Sequence, residues 1–304
     1  MKTRLFYTTG NRDIIETIWD KPEPNSRQIE VKNIITGVCR SDIDMYTGAF
    51  QTLPKEIQGH EGLGIVTKVG NNIYNVNEGD IVATRGEPSF ADYYNANENT
   101  YVKVPSTDPK YIIEPVACGI NIYEEVSGSI KFEDDIIILG TGFLAQVIYE
   151  TIRNNGIGNN IVIVGRANKK YWKLQNVELC HNRKNISPQT SFDIIFDLSD
   201  DPDYLENLIS INDEAIIVLA AEKHPAAILP MSKLLWKAVT IIFPSPRNAN
   251  FIEAMKLAVD LIDNGIIDTE SMWTQEYKRD TEVKAAFEDG LNRTRGYSRG
   301  YIRW

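Results

Sequence analysis

Residues 135–145 read DIIILGTGFLA, and this stretch decides the fold of the second half of the chain. A continuous apolar run between acidic residues and a glycine is typical of a strand buried on both faces of a sheet. The glycine-rich turn leads into a helical pattern that ends at Asn154, and another apolar run follows at residues 161–164. Strand, glycine turn, helix and strand within about thirty residues indicate a βαβ unit that binds a dinucleotide.

Further apolar runs follow toward the C-terminus, at residues 192–196, 215–219 and 239–243. They alternate with helical segments, and a helical pattern over residues 250–264 follows the last of them. This alternation predicts a doubly wound parallel sheet, the Rossmann arrangement, over residues 124–246.

The first 123 residues have a different texture. Short strand patterns occur at residues 30–35, 65–69, 80–83 and 101–104, and turn residues cluster between them. Short strands at this spacing predict a β-rich domain built as a partly open barrel. The fold class is therefore α/β, with one β-rich domain and one parallel-sheet domain.

Composition excludes several classes of protein. The 304 residues are 42% hydrophobic and 24% charged, and the formal net charge is −10. A general nucleic-acid binder needs a basic surface, and no apolar run approaches the ~18–20 residues that span a bilayer. Three irregularly spaced cysteines predict no disulfide framework, and we expect a cytoplasmic protein. Arginines at 293, 295, 299 and 303 are typical of an exposed basic tail.

The residues most suggestive of chemistry are Cys39, His60 and Glu61. A thiolate, an imidazole and a carboxylate are all donors that Zn²⁺ accepts, and a catalytic zinc needs three protein ligands and an open position. Taken singly, a cysteine or a histidine is more often a buried structural residue. Glycines on both sides of the His60–Glu61 pair leave room for a metal to approach the backbone.

These residues lie in two motifs. Residues 37–42 read GVCRSD and residues 59–64 read GHEGLG. The two motifs resemble the catalytic-zinc segment of the medium-chain, zinc-type alcohol and polyol dehydrogenases, and the resemblance continues through Glu114-Pro115 to Gly140. It implies a GroES-like catalytic domain over residues 1–123 and 247–304. It also implies hydride transfer between a nicotinamide cofactor and an alcohol or polyol, or the matching aldehyde or ketone.

The resemblance also implies a metal site. Its ligands are Cys39, His60 and Glu114, with Glu61 as an exchanging ligand, because the polyol branch places a glutamate where other relatives have a second cysteine. Cys118 is the competing candidate for that position. Relatives with a structural zinc carry four cysteines where residues 80–90 hold none, so we expect one catalytic zinc and no structural zinc.

Cofactor residues follow from the glycine turn and from the end of the second strand. Gly140 and Gly142 permit the tight turn and the close approach of a pyrophosphate, and Phe143 and Leu144 open the helix whose N-terminus faces it. The resemblance places Arg40 against the same pyrophosphate.

Gly165 stands where an NAD enzyme carries an acid, which would repel a 2′-phosphate. Arg166 can pair with that phosphate, and Lys169 and Lys170 add positive charge. We therefore favour NADP(H) over NAD(H), although this segment also reads as an exposed loop.

Catalytic roles are implied for Ser41, which accepts the substrate proton, for Glu61 beside the metal, and for Asp44, which stands where many relatives carry a proton-relay histidine. A carboxylate relays protons near neutral pH only if burial raises its pKa. Asp42 is predicted to accept a hydrogen bond from His60.

Two other functions stay open at this point. One is a zinc-free reductase of an activated C=C bond or a quinone, and the other is a non-catalytic nucleotide-binding protein. The predicted partners are a small alcohol or carbonyl substrate and a second copy of the chain, paired through the edge strand at residues 239–243. Neither a nucleic acid nor a membrane is expected as a partner.

Overall fold

A computed structural model of the chain describes residues 1–166, 169–175, 177–180, 186, 190–199, 211–221, 229–293 and 296–304. The chain divides into two compact units. The first consists of Met1–Ala117 and Ile252–Trp304, and the second of Cys118–Phe251. The sequence placed these divisions a few residues away, after residues 123 and 246.

The first unit opens with strands and one short helix. The strands are β1 (Lys2–Tyr7), β2 (Ile15–Asp20), β3 (Gln28–Gly37), β4 (Gly62–Val69), β5 (Ile81–Thr84), β6 (Tyr93–Asn97) and β7 (Tyr101–Lys103). Helix α1 (Arg40–Thr47) follows β3, and two 3₁₀ turns cover Lys55–Ile57 and Pro109–Tyr111.

The middle of the chain alternates strands and helices, as its sequence predicts. Helix α2 (Glu114–Ser127) leads into it, followed by β8 (Asp135–Leu139), α3 (Phe143–Asn154), β9 (Asn160–Val164), α4 (Lys169–Trp172), β10 (Glu178–Cys180), β11 (Phe192–Asp197), β12 (Ile211–Leu219), α5 (Met231–Trp236) and β13 (Thr240–Ile242). The C-terminal part then holds α6 (Phe251–Asp263), a 3₁₀ turn at Glu270–Met272, β14 (Trp273–Lys278), α7 (Val283–Asn292) and β15 (Arg299–Arg303).

In the described part of the second unit, six strands form one sheet in the order β10-β9-β8-β11-β12-β13. Every neighbouring pair is parallel. Successive residues of β8 pack on opposite faces, with Ile136 and Ile138 in one apolar cluster and Ile137 and Leu139 in another. A strand covered on both faces needs a continuous apolar run, which explains the DIIIL sequence. The predicted doubly wound sheet is confirmed.

The first unit is built around β3, which pairs with β4, β6 and β15. The sheet runs in the order β14-β15-β3-β4-β5-β7, and β1 and β2 form a separate hairpin. The predicted β-rich domain is therefore present, and strands from both ends of the sequence meet on β3. No helix in the described ranges is long and apolar enough to cross a membrane.

Candidate metal and cofactor sites

The antiparallel pairing of β3 with β4 brings Cys39 and His60 together. Cys39 is the N-cap of α1, directly after β3, and the pair His60–Glu61 directly precedes β4. Because Thr36 is registered opposite Gly62, the end of one strand lies beside the start of the next. Two residues distant in sequence therefore occupy the same edge of the sheet.

The structure explains why the two motifs carry glycine at residues 37 and 59. Gly59 adopts φ 79°, and a Cβ there would lie 2.7 Å from Phe90 Cγ. Only glycine adopts this conformation without steric cost. At Gly37, a Cβ would lie 3.1 Å from Glu61 Cβ and 3.2 Å from its Cδ. Gly37 thus leaves the space that the Glu61 side chain occupies.

Cys39, His60 and Glu61 form a group of metal-ligand type. Each offers one ligand atom, and the three atoms lie within 4.8 Å of one another. Glu61 is fully buried, and its Oε2 has no hydrogen-bond partner among the residues that the structure describes. A buried carboxylate oxygen without a donor is costly unless a cation is present. This set of soft and hard donors suits zinc, so the residues present fit the ion that the motifs imply.

Glu114 lies close to this group without joining it. It is the first residue of α2 and is buried, and its Oε1 lies 3.8 Å from Arg85 Nε. The negative charge of Glu114 also acts on His60. Cys118, the competing candidate, is partly buried on α2 and does not belong to the three-residue group.

Arg299 is a site residue that the sequence did not reveal. Its guanidinium donates to Glu61 Oε1, and its side chain is only 12% exposed. It reaches the site because β15 pairs with the end of β3, where Tyr301 lies opposite Gly37. The expectation of an exposed basic tail is therefore wrong for Arg299. Arg295 lies outside the described residues.

The electrostatics of the group favour a cation at its centre. Burial lowers the pKa of the His60 imidazole, but the charge of Asp42 and the hydrogen bond with Cys39 outweigh it and raise that pKa well above 6.5. Burial raises the pKa of Asp42 to about 6, and the charge of Glu61 adds to the effect. Burial also raises the pKa of Glu114. The acidic groups thus attract positive charge, which a proton on His60 supplies when no metal does.

Two of the three predicted catalytic residues, Ser41 and Asp44, lie on α1, and the third, Glu61, precedes β4. Ser41 is partly exposed, and the buried Asp44 accepts a hydrogen bond from Arg40 Nε at 2.8 Å. Asp42 was expected to accept a hydrogen bond from His60, and this is corrected. Asp42 Oδ2 accepts the Cys39 backbone N–H at 2.9 Å, and within the described ranges its Oδ1 has no hydrogen-bond partner.

The glycine turn after β8 has the properties of a phosphate-binding turn. Gly140 has φ 145°, and its N–H donates to Val164 O at 2.8 Å, which fixes the turn against β9. Helix α3 then starts at Phe143. A Cβ on Gly142 would meet no atom within 4 Å. Open space therefore lies where the helix N-terminus presents the N–H groups of Phe143 and Leu144.

At the end of β9, the side chains of Arg166 and Lys170 are exposed and Gly165 is partly buried. Ala167 and Asn168, in the same predicted loop, lie outside the described residues, as does the side chain of Lys169. The predicted contact of Arg40 with the cofactor stays a prediction. Arg40 is 43% exposed and paired with Asp44.

The sequence is similar to those of several known dehydrogenases and related proteins. Residues 25–106 match the alcohol dehydrogenase GroES-like domain. An alcohol dehydrogenase from Moraxella sp. (strain TAE123) is 26% identical over 221 residues, which span 62% of this chain and 65% of that protein. The starvation-sensing protein RspB from Escherichia coli K12 is 21% identical, and the match covers 91% of this chain and 92% of that protein.

Solved structures share the fold. Staphylococcus aureus TarJ in complex with NADPH superposes with a TM-score of 0.82 at 18% identity, covering 100% of this chain and 99% of that chain. RspB from E. coli CFT073 with NADH gives 0.84 at 16% identity, with the same coverage.

Three features point to the same kind of protein: the zinc-type motifs, the parallel sheet with its glycine turn, and the matched GroES-like domain. The chain therefore resembles the alcohol dehydrogenases over residues 25–106 and shares the two-domain fold of the solved dehydrogenase structures.

Proposed function

We propose that the chain is a zinc-dependent oxidoreductase that transfers a hydride between NADP(H) and a secondary alcohol or polyol, or the corresponding aldehyde or ketone. One observation carries the proposal. The ligand atoms of Cys39, His60 and Glu61 lie within 4.8 Å of one another, and the buried Oε2 of Glu61 has no hydrogen-bond donor in the described part of the chain.

The proposed zinc ligands are Cys39, His60 and Glu114, with Glu61 as an exchanging ligand, so one position stays open for the substrate. When bound, zinc polarises the substrate oxygen as a Lewis acid. Arg299 offsets the charge of Glu61, and Arg85 that of Glu114.

Proton transfer is assigned to residues of α1. Ser41 follows Cys39 closely and is partly exposed, so its hydroxyl can exchange a proton with both substrate and solvent. Asp44 is the proposed next member of the relay. Its side chain is 10% exposed and held by Arg40, which orients the carboxylate.

Cofactor binding is assigned to the second unit. NADP(H), when bound, supplies or accepts the hydride. The N–H groups at the start of α3 face open space beside Gly142, which suits a pyrophosphate. The exposed cations Arg166 and Lys170, together with the missing acid at Gly165, support a 2′-phosphate. Relatives of known structure bind either NADH or NADPH, so the preference rests on these residues alone.

We also propose a homodimer through the edge of the cofactor sheet. Strand β13 is the last strand of that sheet. Large apolar side chains beside it are exposed: Leu235 is 78%, Trp236 86% and Phe243 70% accessible. A second copy that pairs with β13 would cover this surface and remove an open sheet edge.

The test is turnover of a panel of polyols, aldehydes and enones with NADP⁺ or NADPH. We expect the wild type to act on an alcohol or its carbonyl partner. We expect Cys39→Ser to lose about a thousandfold in rate while it still binds NADPH. Cys118→Ser is the matched control and should keep full activity. Enone reduction by a metal-free wild type would favour the zinc-free reductase instead, and NADPH binding without turnover would favour the non-catalytic protein.

A further inference from the structure

Gly165 and Thr141 face each other across two turns of the cofactor unit. A Cβ at residue 165 would lie 2.6 Å from Thr141 Cγ2, 2.7 Å from its Oγ1 and 3.1 Å from its Cβ. The optimal van der Waals separation of two non-bonded carbon atoms is about 3.5–4.0 Å. The side chain of Thr141, which is only 5% exposed, thus leaves no room for a Cβ at residue 165, and the φ of 159° there adds to the preference for glycine.

Hydrogen bonds hold the backbone of both residues in place. The Thr141 carbonyl accepts a hydrogen bond from Trp172 Nε1 at 3.0 Å, and Trp172 is 1% exposed. The rings of Tyr149 and Tyr171 pack edge-on against Trp172. On the other side, the Gly165 N–H donates to Cys180 O at 2.9 Å. Backbone anchors therefore hold both residues at the distance that excludes a side chain.

We infer that Thr141 restricts residue 165 to glycine, so an acid that would favour NAD(H) can act there only when Thr141 is also replaced by a smaller residue. The inference rests on the proposed function, because residue 165 stands where NAD enzymes bind the ribose hydroxyls. With glycine there, the charged side chains next in the loop that the structure describes are Arg166 and Lys170, both exposed. A change of cofactor preference therefore requires replacing both Gly165 and Thr141. Gly165→Asp alone cannot change it.

The steric half of the inference is tested by a double-mutant cycle in thermal unfolding of the full chain. Gly165→Ala adds only the Cβ, and we expect it to lower Tm by about 3–8 °C. The same substitution in a Thr141→Gly background should cost clearly less, and the cost that remains is set by the φ of 159° at residue 165. Gly128→Ala is the matched control, since a Cβ there meets no atom within 4 Å. A Gly165→Ala protein that melts like Gly128→Ala would overturn the inference.

The specificity half is tested by titrating NADPH and NADH against the same proteins and following nicotinamide fluorescence. Gly165→Asp alone should weaken NADPH binding without a gain for NADH. Thr141→Gly/Gly165→Asp should bind NADH about ten- to a hundredfold more tightly than the wild type does, the value of a hydrogen bond to a charged group. Thr141→Gly alone should keep the preference for NADPH.

The outcomes separate this inference from the proposed function. If Gly165→Asp alone switches to NADH, or if the double variant gains nothing, the role of Thr141 is overturned. If the wild type binds neither nucleotide, the proposed function fails with it, while the unfolding cycle still decides whether Thr141 excludes a side chain at residue 165.

Discussion

The substitution Arg299→Met tests whether Arg299 compensates the buried negative charge of Glu61. In the wild type the guanidinium of Arg299 pairs with Glu61, and the two side chains are 12% and 0% exposed. The methionine keeps an apolar side chain of similar length but removes the charge. Glu61 then stays buried without its cation, and breaking such a pair costs about 3–5 kcal/mol. A cation–π contact of Arg299 with Trp273, at 5.5 Å, is lost as well.

The assay is urea denaturation of EDTA-treated protein, with Arg303→Met as the matched control. Arg303 pairs with Glu276, but their side chains are 40% and 42% exposed, and exposed pairs contribute about 0–1 kcal/mol. We expect Arg299→Met to lose several times more free energy of unfolding than Arg303→Met.

Zinc should then distinguish the two variants further. A ligand at one hundred times its Kd stabilises a protein by about 2.7 kcal/mol. Zinc bound beside Glu61 also replaces the missing positive charge, so Arg299→Met should gain more from zinc than the wild type does. Equal losses in the two variants, or equal gains from zinc, would refute the reasoning that Arg299 compensates a metal-binding carboxylate.

Three further outcomes are expected. Lys21→Met removes the cation 2.8 Å from the buried Glu30 and should cost about 3 kcal/mol in urea denaturation, whereas Lys68→Met, at a more exposed pair, should cost less than half of that. Burial raises the pKa of Glu30, but the hydrogen bond from Lys21 contributes to a net lowering below 4.5. This stability is therefore present above pH 4.5 and lost as the pH falls, and a Lys21→Met deficit that persisted in acid would contradict it. Asp44→Asn should remove one limb of the pH–rate profile, because an amide does not titrate, and an unchanged profile would end the proposed relay role. Trp236→Glu should halve the mass measured by light scattering, and an unchanged mass would place the dimer interface elsewhere.

The elements that follow from local sequence were predictable. The DIIIL run specified a strand buried on both faces, and the glycine pattern specified the turn before α3, because both depend on residues adjacent in sequence. The meeting of Cys39 with His60 was predictable only through the motifs, since it depends on the register of β3 with β4.

What sequence reasoning missed depends on contacts between distant segments. Arg299 lies 238 positions from Glu61 and reaches it because β15 adds to β3. An arginine near the C-terminus has no local pattern that distinguishes a buried ion pair from an exposed tail. Arg85 was missed for the same reason. At residue 165 the sequence showed a glycine in place of the acid that NAD enzymes carry. The close contact with Thr141, which leaves no room for a side chain there, was visible only in the structure.

The central claim is that Cys39, His60 and Glu61, with Glu114 beside them, hold a metal ion. Elemental analysis of purified, zinc-supplemented protein tests this most directly. The account predicts one zinc per chain in the wild type and in Cys118→Ser, and none in Cys39→Ser. A wild-type protein that contains no metal and still oxidises its alcohol would contradict it.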